Sequence, residues 1–93
     1  GKVMAAITRL RAIRMKYGIS LLELERHSSF SNQYLSALEL GSSKRTAKSE
    51  EALSRAMAEV ADARKESLAG LEQTLRRHQG RLLETTEVSG DEL

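Results

Sequence analysis

Few side chains in this 93-residue chain could do covalent or metal chemistry. There is no cysteine, which excludes thiolate nucleophiles, thiolate zinc sites and disulfides. The two histidines, His27 and His78, fall in different predicted helices without metal-ligand spacing. No glycine-rich phosphate loop is present, and no pair of carboxylates stands out for acid–base work. His27 is expected at a helix end, where its charge is tolerated. The expectation is a non-enzymatic binding protein that uses neither metal nor cofactor. Charge, by contrast, is plentiful and unevenly placed. Residues 1–48 hold nine Lys/Arg against three Asp/Glu, a net +6, whereas residues 49–93 hold six against ten, a net −4. A basic front half and an acidic rear half suggest a polyanion-binding head on a solvated helical tail.

The elements that would position these charges are helical. Proline and tryptophan are absent and there is one phenylalanine. Ala, Leu, Glu, Lys and Arg dominate, the residues that cost least in a helix, so the expected class is all-α. With 40% of residues apolar, a chain of this length can build one modest core. A deep, dry cavity would compete with that core for the same residues. The longest apolar run, Val3 to Ile7, is far too short to span a bilayer or to form the core of a signal peptide. With no cysteine to mark an oxidising compartment, a cytoplasmic location and no membrane partner are expected.

Val3, Ile7, Leu10, Ile13 and Tyr17 recur at helical spacing, which predicts a first helix from about residue 3 to 17, ended by Gly18. Ser20 and Glu23 form a capping box with Ile19 as the hydrophobic staple, opening a second helix that carries Leu21, Leu22 and Leu24. That helix should fail at His27-Ser28-Ser29, because serines compete for the backbone. Ser31 can cap a third helix holding Tyr34, Leu35 and Leu38, with Gly41 past its end. The three helices should cross around Ile7, Leu10, Leu24, Phe30, Leu35 and Leu38. After a basic loop over residues 42–47, a helical pattern runs from Ser49 to about Glu84, with Glu50 and Glu51 in its first turn. Its apolar positions are Leu53, Met57, Val60, Leu68, Leu71, Leu75 and Leu82, a heptad-like seam interrupted around Arg64 to Ser67. Gly70 and Gly80 leave open a break into two antiparallel helices. The expected division is a head over 1–48, a long helical segment over 49–84 and a flexible acidic tail over 85–93.

The segment from Gly18 to Gly41 resembles the helix-turn-helix of the phage-repressor and Cro-like (XRE-type) family. The features that carry the likeness are Gly18-Ile19-Ser20 opening the second helix, Leu24 at its buried position, the Phe30-Ser31 turn, and the ending Tyr34-Leu35-Ser36-Ala37-Leu38-Glu39-Leu40-Gly41. The likeness covers roughly residues 5–48. It implies that the third helix enters the major groove of double-stranded DNA, braced by the second. On this reading Asn32, Gln33, Ser36 and Ala37 meet base edges, since Asn and Gln can bond adenine bidentately and Ala can touch a thymine methyl. Ser20, Ser31, Tyr34, Lys44 and Arg45 would contact phosphates, the helix N-termini through their backbone N–H groups. The resemblance also pairs Arg14 with Glu39. Three positions depart from the family pattern. Glu25 stands where a small residue lets the helices approach. Ser29 replaces a glycine, and a left-handed backbone there would be costly. Leu21 replaces a phosphate-contacting glutamine. The implied activity is that of a phage or mobile-element transcription regulator, a repressor by the commoner mode, in the bacterial cytoplasm or nucleoid. The seam from Leu53 to Leu82 would pair two copies into a homodimer. The competing reading is an adaptor that keeps the head as a scaffold and offers the long helix to a protein partner.

Overall fold

The computed structural model describes residues 6–92 of the chain, and all regular structure among them is helical. Helix α1 spans Arg9–Tyr17, α2 Leu21–Arg26, α3 Asn32–Leu40 and α4 Ala47–Arg77, and a short 3-10 turn follows at Gly90–Glu92. The chain divides into two compact units between Ala63 and Arg64. Residues 47–63 of α4 therefore belong with the first three helices.

Local chemistry sets each boundary. Helix α1 begins later than periodicity predicts: Ala6 to Thr8 are not helical, and Thr8 is the cap, its Oγ1 accepting from the Arg11 N–H at 3.1 Å. Val3 lies outside the described residues. Ile7, expected in the core, instead sits in the non-helical approach to the cap and is about half exposed. Gly18 and Gly41 end α1 and α3 in the left-handed conformation, with φ of 62° and 79°, and their N–H groups close back onto the last turn. This is the role glycine fills without a Cβ clash. Ser20 and Ser31 cap α2 and α3 as expected, accepting from the Glu23 and Tyr34 N–H groups.

The α2–α3 turn is built differently from the expectation. No non-glycine residue among those described has a positive φ, so Ser29 bears no left-handed strain. Ser28 holds the turn instead: its Oγ accepts from the Phe30 N–H at 3.0 Å and lies 3.3 Å from the Phe30 carbonyl, to which it donates. His27 is the C-terminal cap of α2, the helix end where it is expected.

Helix α4 also differs at both ends from the predicted 49–84. It starts at Ala47 because Thr46 and Ser49 cap reciprocally. The Thr46 N–H donates to Ser49 Oγ and the Ser49 N–H to Thr46 Oγ1, each at 3.0 Å. Ser49 is thus the buried third residue of the helix and the partner of the cap, not the cap itself. At the other end α4 runs through Gly70 as one helix and stops at Arg77, so the hairpin alternative does not form. A turn over residues 78–80 follows, with Gly80 at φ 79°. Leu82 is therefore off the helix, and the predicted seam ends at Leu75.

Leu24 and Leu35 are fully buried at the centre of the first unit, joined by Ile19, Ala56 and Val60. Ile19 and Leu24 thereby complete the staple around the Ser20 cap. Leu10, Leu21, Phe30, Leu53 and Met57 pack around this cluster. On α4 the inward positions 49, 53, 56 and 60 follow the three- and four-residue spacing of one helical face. The start of α4 is thus the fourth wall of the head, and Val60, 1% exposed, is spent on that core. Leu38 is half-buried and lines an open cleft of about 740 Å³ with Ile7, Leu10, Ile13, Leu53 and Met57.

In the second unit the remaining turns of α4 carry Leu68, Leu71 and Leu75, which are 56%, 53% and 44% exposed. Residues 85–89 have no regular structure. No helix among the described residues is long and apolar enough to cross a membrane.

Candidate nucleic-acid interface

Helix α3 is short, and its two faces are distinct. Leu35 and Glu39, four residues apart, are its buried positions. At about 100° per residue, Gln33, Ala37 and Leu40 then fall on the opposite side, with Ser36 and Tyr34 on the flanks. Gln33 is exposed and Ser36 and Ala37 are half-buried; of the four predicted base-reading residues, Gln33 and Ala37 share the outer side and Ser36 borders it. Asn32 does not share it. It turns toward the α2 side, is half-buried, and its backbone N–H donates to Glu25 Oε2 at 2.6 Å.

That contact answers what the large residue at position 25 does. The Glu25 side chain neither turns away to solvent nor holds the helices apart without compensation. It reaches from α2 to the start of α3 and satisfies one of the four N–H groups that a helix leaves unpaired. Together with the Ser31 cap, it accounts for the N–H groups of Asn32 and Tyr34, which the motif would offer to phosphate. No capping spacing links residue 25 to residue 32, so only the packed pair of helices discloses the bond.

The orientation of α3 is fixed from behind by Arg14. Its Nε donates to Glu39 Oε2 at 2.5 Å and its Nη2 to Glu39 Oε1 at 2.6 Å, a two-pronged pair, while Nη1 donates to the Ile19 carbonyl at 2.8 Å. The side chains are 13% and 3% exposed. A planar guanidinium matched to a carboxylate in this way fixes angle as well as distance. The hydrogen bond to Glu39 raises the Arg14 pKa above its ordinary value, and desolvation opposes this only in part. One bond network thus ties the ends of α1 and α3 to the chain entering α2.

The remaining predicted contacts are dispersed around this frame. Lys44 and Arg45 are exposed in the loop between α3 and α4, and Lys48 is exposed in the first turn of α4. Ser20 is exposed at the start of α2, with its hydroxyl engaged as a cap. The Tyr34 ring stands edge-on to Phe30 with centroids 4.9 Å apart, so its body packs on the turn. Leu21 faces the core, where a clamp cannot operate, and Leu22 and Leu40 are exposed on the outside.

The chain has no significant match among protein-family models, curated proteins or solved structures.

Proposed function

We propose that this protein binds double-stranded DNA in a sequence-specific manner and regulates transcription, acting as a repressor by occupying its operator. The observation that supports this reading best is the braced α3. Its inner face is locked by Leu35 and the Arg14–Glu39 pair, its outer side carries Gln33 and Ala37 with Ser36 on the flank, and Lys44 and Arg45 are exposed in the loop that follows. A major groove about 12 Å wide admits one helix held in this manner. Gln33, Ser36 and Ala37 meet base edges, and Asn32 contributes from the flank. Lys44 and Arg45 supply the phosphate attraction that carries much of the affinity. The protein works without metal, cofactor or covalent chemistry, in the bacterial cytoplasm or nucleoid. Two copies pair through Leu68, Leu71 and Leu75, presenting two heads to an inverted repeat.

Selection of bound sequences from a random duplex pool at physiological salt tests the reading, because non-specific binding is suppressed there. The expected result is an enriched inverted repeat. A folded protein that enriches no sequence would refute specific recognition.

A second reading has its own observation. Leu22 and Leu40 are 60% and 63% exposed on the two helices that would face DNA, and isolated leucines gain nothing from phosphate. They suit a protein partner, in which case the head is a scaffold of a phage or mobile-element adaptor. A protein that retains its partner through Leu40→Ala-sensitive contacts while ignoring duplex would establish this reading.

A further inference from the structure

We infer that the acidic segment of residues 82–91 of one copy docks in the open cleft of a second copy's head. Its carboxylates meet Arg9 and Arg45, and its apolar side chains cover the cleft floor. On the DNA-binding reading above, on which this consequence rests, the contact withdraws Arg45 from the duplex and makes the segment a brake on binding.

The two surfaces match in both of their chemistries. The cleft of about 740 Å³ is lined wholly by residues of the first unit. Its floor is Leu10, Leu38, Leu53 and Met57, and Ile7 and Ile13 beside them are 47% and 44% exposed. Apolar surface left open in this way favours a partner that removes it from water. Arg9 and Arg45 line the same cleft, and neither forms an ion pair among the described residues. Glu50 opposes them from the first turn of α4, which leaves the lining net positive.

The segment is the converse. It holds Glu84, Glu87 and Asp91 and no Lys or Arg. Its Leu82, Leu83 and Val88 are 67%, 99% and 49% exposed. Glu84 is engaged by Arg81 at 3.0 Å, so Glu87 and Asp91 are the carboxylates offered to the cleft. Negative charge beside exposed leucines suits a basic, apolar cleft and is repelled by duplex. A second copy supplies the segment at a raised local concentration. The stripe of Leu68, Leu71 and Leu75 through which copies pair ends shortly before Leu82, so a paired molecule brings its acidic segment with it. Because Arg45 both lines the cleft and follows Lys44 in the loop that meets phosphate, a carboxylate held on it removes one contact from the duplex.

The absence of cysteine lets a single spin label be placed in the full chain at Thr86→Cys, an exposed position within the segment. Mixed with isotope-labelled parent, it broadens amide signals of a neighbouring copy. Broadening should be strongest at Arg45 and Ser54, which line the cleft, and weakest at Ser29, which lines a different recess with Ala52 and Arg55 of α4. No broadening, or broadening as strong at Ser29, overturns the inference. In the converse mixture, label and isotope share one molecule diluted in unlabelled parent. Broadening found only there overturns the second copy as the occupant.

Leu83→Ser with Val88→Ser keeps the net charge. On the spin-labelled chain it should reduce the broadening, and unchanged broadening overturns the apolar contact. In the absence of a spin label the same variant should bind duplex about two- to fivefold tighter than the parent, the range expected for one exposed charge contact. Glu87→Gln with Asp91→Asn should tighten binding more than Glu59→Gln with Asp62→Asn, which changes net charge equally at exposed positions of α4. A serine variant that loses docking yet binds duplex no tighter than the parent overturns the brake. If no form binds duplex, the DNA-binding reading fails, and the broadening still decides whether the segment occupies the cleft.

Discussion

At the scale of single residues, the most consequential contact is the ion pair behind α3. Arg14 and Glu39 are nearly removed from water, and Arg14 also holds the Ile19 carbonyl. Removing one partner of such a pair leaves the other charged and buried, which costs about 3–5 kcal/mol, whereas replacing both by apolar residues can be nearly neutral. Arg14→Ala should therefore lower stability by about 3 kcal/mol in urea unfolding, and Arg14→Leu combined with Glu39→Leu should lose less than Arg14→Ala alone. If the double variant is the weaker, the pair contributes net stability. The raised Arg14 pKa means that its contribution is fully present below the ordinary guanidinium value and is lost only above it. Deprotonation of Arg14 therefore cannot loosen the brace at neutral pH. Lys44 and Arg45 are a different case, because both are exposed. Lys44→Ala with Arg45→Ala should leave the melting temperature within a degree or two. It should weaken duplex binding across all sequences and flatten the salt dependence by about 0.9 per lost contact. An unchanged slope would remove both residues from the phosphate contacts.

At the scale of elements, α4 does two jobs that its sequence runs together. Its first turns complete the head through Ala56 and Val60, and its later turns carry leucines that remain exposed. Gly70 sits among the latter with open space around the position of a Cβ. Gly70→Ala should raise helicity by circular dichroism and strengthen α4 by about 1 kcal/mol, read as slower amide exchange along the helix. A loss of stability would mean that another chain approaches the helix at Gly70. The short helices were legible in the sequence because their signals are local: Ser20, Ser31, Gly18 and Gly41 each act within one turn of backbone. The pairing of Arg14 with Glu39 was legible only through the family likeness, since 25 residues separate the partners. What periodicity could not reveal was competition for the same apolar residues. Val60 reads equally well as a seam residue or as a core residue, and only the space left open by three short helices decides between them. Thr46 was obscured because its cap partner is a serine, not the glutamate of the usual box. In the sequence Glu25 stands out only as a departure from a small residue, since nothing along the chain announces a bond to Asn32 seven positions away.

At the scale of the whole molecule, the question is what covers Leu68, Leu71 and Leu75. They follow one another at spacings of three and four, so they form one stripe, and each is about half exposed. Leu53, Met57 and Val60, the other half of the expected seam, are engaged by the head. A dimer of this chain must therefore be shorter than the sequence pattern suggests, confined to about two turns of helix on each copy. Pairing so limited is weak alone, and binding two half-sites about one helical turn apart on DNA would strengthen it by holding the copies together. Sedimentation should accordingly show a concentration-dependent monomer–dimer equilibrium in the free protein and a two-to-one complex on an inverted repeat. Leu68→Glu with Leu71→Glu should abolish the free dimer while leaving the melting of the head unchanged, since neither residue belongs to its core. The same variant should bind a single half-site as the parent does but lose the advantage of the second. A parent protein that remains monomeric on the inverted repeat would rule out pairing through this stripe and leave it to a different protein.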